Sequence, residues 1–114
     1  MDNMKKRAIY LRTLRNISVL KNKLIDCYKE KQWEIYGFYI DQGHNGKNLD
    51  RPELKKMLKD SKNFNAILVY DLTMLSVKTK DILKLFHILK EKEIDLFTLD
   101  LNEVLVPVIV YQNS

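Results

Sequence analysis

Residues 41–52 read Asp41-Gln42-Gly43-His44-Asn45-Gly46-Lys47-Asn48-Leu49-Asp50-Arg51-Pro52. The stretch separates an apolar run of strand character, Glu34 to Ile40, from a charged run of helical character, Glu53 to Lys62. Two glycines three apart suit a flexible turn, because glycine reaches positive φ without a steric penalty. Asp50 and Glu53 have the spacing of a helix N-cap and its reciprocal partner, and Pro52 is tolerated in a first helical turn. The pattern predicts a loop that opens a helix, with the Arg51 guanidinium at its rim. Free N–H groups at a helix start favour anions, so an arginine in that place suits phosphate. Most surface arginines are simply solvated, which is the plainer reading of the same residue.

Outward from this loop the apolar residues change period several times. Arg7 to Arg12 reads as a short buried strand, and Thr13 to Asn16 as a connector. Ile17, Leu20, Leu24 and Cys27/Tyr28 then recur at intervals of three and four, with Lys21, Lys23 and Lys29 between them. That is an amphipathic helix to about Gln32. Trp33 to Ile40 is rich in aromatics and favours a strand, with Gly37 marking a bulge or a close backbone approach.

Beyond the opening loop, Leu54, Met57 and Leu58 line one side of a second helix. Ala66 to Tyr70 is a continuous apolar run of strand length, as expected at the buried centre of a parallel sheet. Asp71 to Lys78 forms a loop, and a third helix follows with Ile82, Leu85, Phe86 and Leu89 on its main stripe. Leu83 and Ile88 widen that stripe toward a second contact surface, and His87 beside it reads as packing or solvation. Ile94 to Leu99 is a fourth strand. Val104 to Tyr111 is apolar enough for a fifth, which Pro107 confines to an edge or breaks.

Strands alternating with helices at this spacing predict an α/β fold of right-handed βαβ units. The expected architecture is a single three-layer domain over residues 1–114. A mostly parallel sheet of four or five strands is flanked by helices, with Ala66 to Tyr70 at its centre. Ligands of such sheets sit beyond the C-terminal ends of the strands, where the loops after Arg12, Ile40 and Tyr70 meet.

Composition bounds the function. The 114 residues suffice for one core, and 46% hydrophobic content argues against a disordered chain. No apolar run is long enough to span a bilayer, and Ala8 to Leu11 is too short for a secretory signal, so a cytoplasmic protein without membrane contact is expected. The single cysteine, Cys27, excludes an internal disulfide and a multi-cysteine metal cluster. No glycine-rich dinucleotide or nucleoside-triphosphate motif is present, so neither a cofactor nor a metal is expected. The net charge of +5 draws the domain modestly toward nucleic acid or anionic surfaces. Its lysines are spread along the chain at Lys5, Lys6, Lys55, Lys56, Lys59, Lys62, Lys78, Lys80, Lys84 and Lys90, as solvated helix faces also require.

The opening loop resembles the D-x-G-x-S-G-x-x-x-x-R-P segment of the serine recombinase (resolvase/invertase) catalytic domain. Asp41, Gly43, Gly46, Arg51 and Pro52 match, and Asn45 stands where the family usually has serine. The similarity covers roughly residues 7 to 103. It implies the resolvase catalytic-domain fold and site-specific DNA recombination, in which a serine hydroxyl attacks a phosphodiester while cations offset the charge on the phosphoryl oxygens. Arg51 falls on the family's phosphate-binding arginine.

Two further stretches resemble motifs of the same family. Tyr10-Leu11-Arg12-Thr13-Leu14 resembles Y-x-R-V-S: Arg12 is retained as a phosphate ligand, and the nucleophile position is Leu14. An alkyl side chain has no lone pair with which to attack phosphorus. Thr13 and Ser18 are the nearby hydroxyls that could substitute if the alignment slips, although Ser18 reads better as an early helix residue. Leu72-Thr73-Met74-Leu75-Ser76-Val77 resembles L-D-R-L-S-R, with Thr73 in place of the acid and Met74 and Val77 in place of two arginines. Leu72, Leu75 and Ser76, the packing and helix-entry positions, are kept.

These differences imply a degenerate, catalytically inactive relative that acts as an interaction module or persists as a mobile-element remnant. It would bind DNA weakly through phosphates and pair with itself or with an active recombinase. The family's DNA-binding region is not expected within these residues. The rival is an active DNA recombinase with a displaced serine or threonine nucleophile. A small binding domain of flavodoxin or receiver type ranks below both, because Asp71 is the only strong acidic candidate at a strand end.

Overall fold

The computed structural model describes residues 6–13, 18–31, 33–43, 45–99 and 104–108. Among these residues, five strands form one sheet: β1 (Lys6–Thr13), β2 (Glu34–Gln42), β3 (Ala66–Leu68), β4 (Asp95–Leu99) and β5 (Leu105–Val108). Their order is β2-β1-β3-β4-β5, which puts β3 at the centre as its unbroken apolar sequence requires. The β1–β2, β1–β3 and β3–β4 pairs are parallel, and β5 returns antiparallel to β4. Pro107 pairs with Phe97 on the margin of the sheet, where a missing N–H is tolerated. Gly37 marks the expected bulge: Arg7 pairs with Ile35 and Ala8 with Gly37, leaving Tyr36 as the extra residue.

Three helices cover the two faces: α1 (Ser18–Lys31), α2 (Pro52–Lys59) and α3 (Thr79–Glu91). Alternation along β1 decides which face each residue serves. Ile9 and Leu11 pack with Leu24 and Cys27 of α1, Leu68 of β3 and Leu105 of β5. Ala8 and Tyr10 point the other way, into a larger core with Leu54 and Met57 of α2 and Leu85 and Leu89 of α3. The result is the three-layer α/β arrangement that the sequence predicts.

Several boundaries differ from expectation. β3 ends at Leu68, two residues before Tyr70, yet the neighbouring backbone stays bonded: the Val69 N–H donates to Phe97 O and the Leu99 N–H to Tyr70 O. β2 runs on through Asp41 and Gln42, so the acid that opens the loop belongs to the strand. The second helical segment breaks after Lys59 into a separate 3-10 turn at Ser61–Asn63.

The predicted capping box of Asp50 and Glu53 does not form. Arg51 is the cap residue of α2, and Asp50 turns outward to bond Lys55. Asp41 takes over the capping from the end of β2, accepting from the N–H groups of Glu53 and Leu54 at 3.0 Å each. A carboxylate at a helix start satisfies otherwise unpaired donors and meets the positive end of the helix dipole. The spacing of Asp50 and Glu53 could not reveal a cap supplied from another element.

Candidate functional site

β2, β1 and β3 are neighbours, so the segments leaving their C-terminal ends meet at one place. β1 delivers Tyr10 and Arg12, β2 delivers Asp41, and the start of α2 delivers Arg51. β3 leads into a 3-10 turn at Leu72–Met74, with Ser76 at the entrance to α3. Asp71 begins that turn by accepting the Thr73 N–H at 2.8 Å and the Thr73 hydroxyl.

Arg12 and Arg51 are together at this end of the sheet. Arg12 donates through Nε to the Met74 carbonyl (3.2 Å) and through Nη2 to the Thr73 carbonyl (2.5 Å). Arg51 donates through Nη1 to that same Met74 carbonyl (3.0 Å), through Nη2 to the Leu75 carbonyl, and through Nε to the Asn48 carbonyl (3.1 Å). Three consecutive main-chain oxygens of one turn therefore face two guanidinium groups. Burial and the neighbouring Arg51 charge hold the Arg12 guanidinium below its ordinary basicity.

The rim position expected for Arg51 is corrected. Its side chain is 1% exposed, among the largest fully buried side chains of the domain. It reaches Asp41 through Tyr10: Arg51 Nη1 donates to the Tyr10 hydroxyl at 2.9 Å, which in turn donates to Asp41 Oδ2 at 2.8 Å. Burial and the bond to Asp41 raise the Tyr10 phenol well above its usual range, so it stays protonated and can serve as that donor. Asp41 is itself 2% exposed. Arg51 is thus linked to the Asp41 carboxylate by a relay through a tyrosine, and the plainer reading of a solvated surface arginine does not hold.

Gly46 joins the two loops. A Cβ built on it would lie 3.0 Å from Arg12 Nη2 and 3.0 Å from Val77 Cγ1. The Gly46 carbonyl accepts from the Val77 N–H at 3.1 Å and from the Ser76 hydroxyl at 3.1 Å. Ser76 is fully buried, and its Oγ also accepts the Lys78 N–H, closing the first turn ahead of α3. The serine at this place is a splint between loops.

The remaining sequence-predicted positions fall as follows. Leu14 lies outside the described residues. Thr13 ends β1, and Ser18, exposed, begins α1. Thr73 is exposed, Val77 is exposed above Gly46, and Met74 is buried with its sulfur accepting the Arg12 N–H at 3.4 Å. Among the described residues, no group of three or more His, Cys, Asp and Glu side chains is placed to hold a metal ion. Among the same residues, no helix is long and apolar enough to cross a membrane. Sequence reading places Ser76 at the helix entry, where it stands, and misses its bond to Gly46 together with the roles of Tyr10, Asp41 and Gly46. All four lie in quoted motifs, but their partners sit on distant segments.

A five-stranded sheet of this order, with two arginines converging at its strand ends, defines an α/β domain of the serine recombinase catalytic type. The chain belongs to the family described as "Resolvase, N terminal domain", whose model matches residues 9–108. It is similar to the N-terminal catalytic domain of TP901-1 integrase, with 32% identity and a TM-score of 0.78 over 87% of this chain and 78% of that one. The fold is shared with a resolvase family site-specific recombinase from Streptococcus pneumoniae, at 21% identity and a TM-score of 0.67 over 82% of this chain and 71% of that one. It is shared too with the C-terminal catalytic domain of ISC1926 TnpA, an IS607-like serine recombinase, at 15% identity and a TM-score of 0.72 over 82% and 68% of the two chains. A 44-residue segment is 41% identical to "Uncharacterized immunity region protein 3" of Bacillus phage phi105. That match takes in 39% of this chain and 54% of the phage protein, about half the length of that relative.

Proposed function

We propose that this domain is a catalytically inactive relative of the serine recombinases that works as an interaction module. In this reading it pairs with itself or with an active recombinase and touches DNA weakly through phosphates, with Arg12 and Arg51 as the phosphate ligands. The observation that carries it is the shared Met74 carbonyl, which takes hydrogen bonds from both arginines. Cations that would offset charge on a transferring phosphoryl group are here engaged with the backbone. The positions that the resemblance assigns to an acid and two further arginines hold Thr73, Met74 and Val77, and the nucleophile position holds Leu14. Losing a nucleophile removes orders of magnitude of rate, and each lost charge-stabilising donor costs about 10²–10³ more. Names among the relatives, a phage immunity region protein and an IS607-like recombinase, fit a remnant of a mobile element.

The test is covalent trapping on supercoiled DNA carrying a cognate crossover site. No protein–DNA adduct is expected at any protein concentration, nor after Leu14→Ser, because the missing cations would still be missing. The second reading, an active recombinase with a displaced nucleophile, draws on the 32% identity to an integrase catalytic domain and on Ser18, exposed at the start of α1. An adduct that disappears on changing Ser18 or Thr13 to alanine would establish that reading instead.

A further inference from the structure

We infer that residues 72–76 act as a latch: closed, they occupy the guanidinium groups that a DNA phosphate needs, so phosphate binding and the closed loop exclude each other. The inference rests on the reading above that Arg12 and Arg51 meet phosphate, and it supplies the regulation of that site.

The closed state has specific fastenings. Arg51 donates from Nε, Nη1 and Nη2 to acceptors within the protein and is 1% exposed, so a phosphate arriving from solvent cannot reach it while the loop is seated. Arg12 spends Nε and Nη2 on Met74 and Thr73 of the same turn. The loop is pinned from its other side, where the Ser76 hydroxyl and the Val77 N–H converge on the Gly46 carbonyl.

Competition follows from the chemistry of the acceptors. Two guanidinium groups side by side repel, and the three carbonyl groups that accept from them offset that repulsion. A phosphodiester shares one negative charge over its two non-bridging oxygens, each of which accepts more strongly than a neutral carbonyl. It therefore displaces the turn when present at sufficient concentration. Apparent affinity is then the intrinsic affinity reduced by the fraction of molecules whose loop is open. Weakening the pins raises that fraction without adding any contact to DNA.

Two measurements test the latch on the intact chain, with a short mixed-sequence DNA duplex at low salt as the probe. In hydrogen exchange on the wild-type protein, the Ser76 and Val77 amides are expected to exchange faster with the duplex bound, the reverse of ordinary ligand protection. Unchanged or slower exchange at saturation would overturn the latch. In the second measurement Ser76→Ala is expected to bind the duplex roughly fivefold more tightly, the equivalent of the one bond to the Gly46 carbonyl lost from the closed form, since the bond from the Lys78 N–H is local and is lost from open and closed forms alike. Adding Arg12→Ala lowers the affinity of the Ser76→Ala protein and removes the part of the gain that Arg12 supplies, leaving the part due to Arg51. If Arg12→Ala weakens wild-type binding but Ser76→Ala brings no gain, the latch is wrong while phosphate contact stands. If Arg12→Ala leaves wild-type affinity and its salt dependence unchanged, phosphate contact by this arginine fails and the latch fails with it.

Discussion

Arg12 of β1 and Arg51 at the start of α2 are 39 positions apart in sequence and donate to one oxygen, the Met74 carbonyl, at 3.2 and 3.0 Å. Two permanent charges held on one neutral acceptor form an arrangement that the rest of the site is built to support. Asp41, held behind Tyr10, supplies the nearest counter-charge in the hydrogen-bonded chain that leads to Arg51.

Arg51 is expected to be a stability residue of the first rank. Arg51→Lys keeps the charge but loses the planar fork that serves Asn48, Tyr10, Met74 and Leu75. Buried acceptors left without donors should cost about 3 kcal/mol of unfolding free energy. Urea denaturation of wild type and variant at neutral pH measures it. A loss under about 1 kcal/mol, the ordinary worth of a single hydrogen bond, would mean that the network contributes little.

Gly46 is expected to resist enlargement. Gly46→Ala places a methyl group 3.0 Å from both Arg12 Nη2 and Val77 Cγ1. Displacing them should cost about 1–2 kcal/mol, in the range of overpacked sites. Val77→Ala removes one of the two obstacles, so the double variant should recover part of the loss. Strict additivity of the two changes in thermal denaturation would refute a direct contact as the cause.

Tyr10 gives the fold an alkaline limit. Its phenol is raised above the ordinary value of 10.0 by burial and by the hydrogen bond to Asp41. The native state therefore holds this proton more tightly than the unfolded chain. The resulting stability is complete below pH 10 and declines as the pH rises above that value toward the native-state pKa. Tyr39, bonded to Asp60 and raised for similar reasons, acts in the same direction. Stability measured between pH 9 and 11 should fall less steeply in Tyr10→Phe than in wild type; identical slopes would assign the alkaline loss to other groups.

The fold could be read because each strand and helix announces itself locally. The unbroken run Ala66 to Tyr70 requires cover on both faces; Ala66 to Val69 receive it at 0–1% exposure, and Tyr70 is half-buried. Gly37 signals a bulge and Pro107 an edge strand, and Gly37 stands at the β1–β2 bulge while Pro107 lies in the marginal strand β5. The site was legible only in its cast. Arg12 and Arg51 were singled out, but not that they would be turned toward a backbone. Carbonyl oxygens are common to every residue, so no side chain in 72–76 signals that its main chain will be the acceptor. Asp41 was overlooked as a cap for the same reason: its partners, Glu53 and Leu54, lie 12 and 13 positions away. The capping spacing of Asp50 and Glu53 was a local pattern that lost to this non-local one.

The two margins of the sheet have a consequence for how the molecule meets its own kind. On one side β5 offers Pro107, which has no N–H to give; on the other β2 carries its extra residue at Tyr36 and bends there. An incoming strand would lack a rung at the first margin and fall out of step at the second. Neither border invites another sheet to zip onto it. Among the described residues, the sheet borders therefore disfavour ribbon growth, and the helices and loops are the surfaces left open to contact.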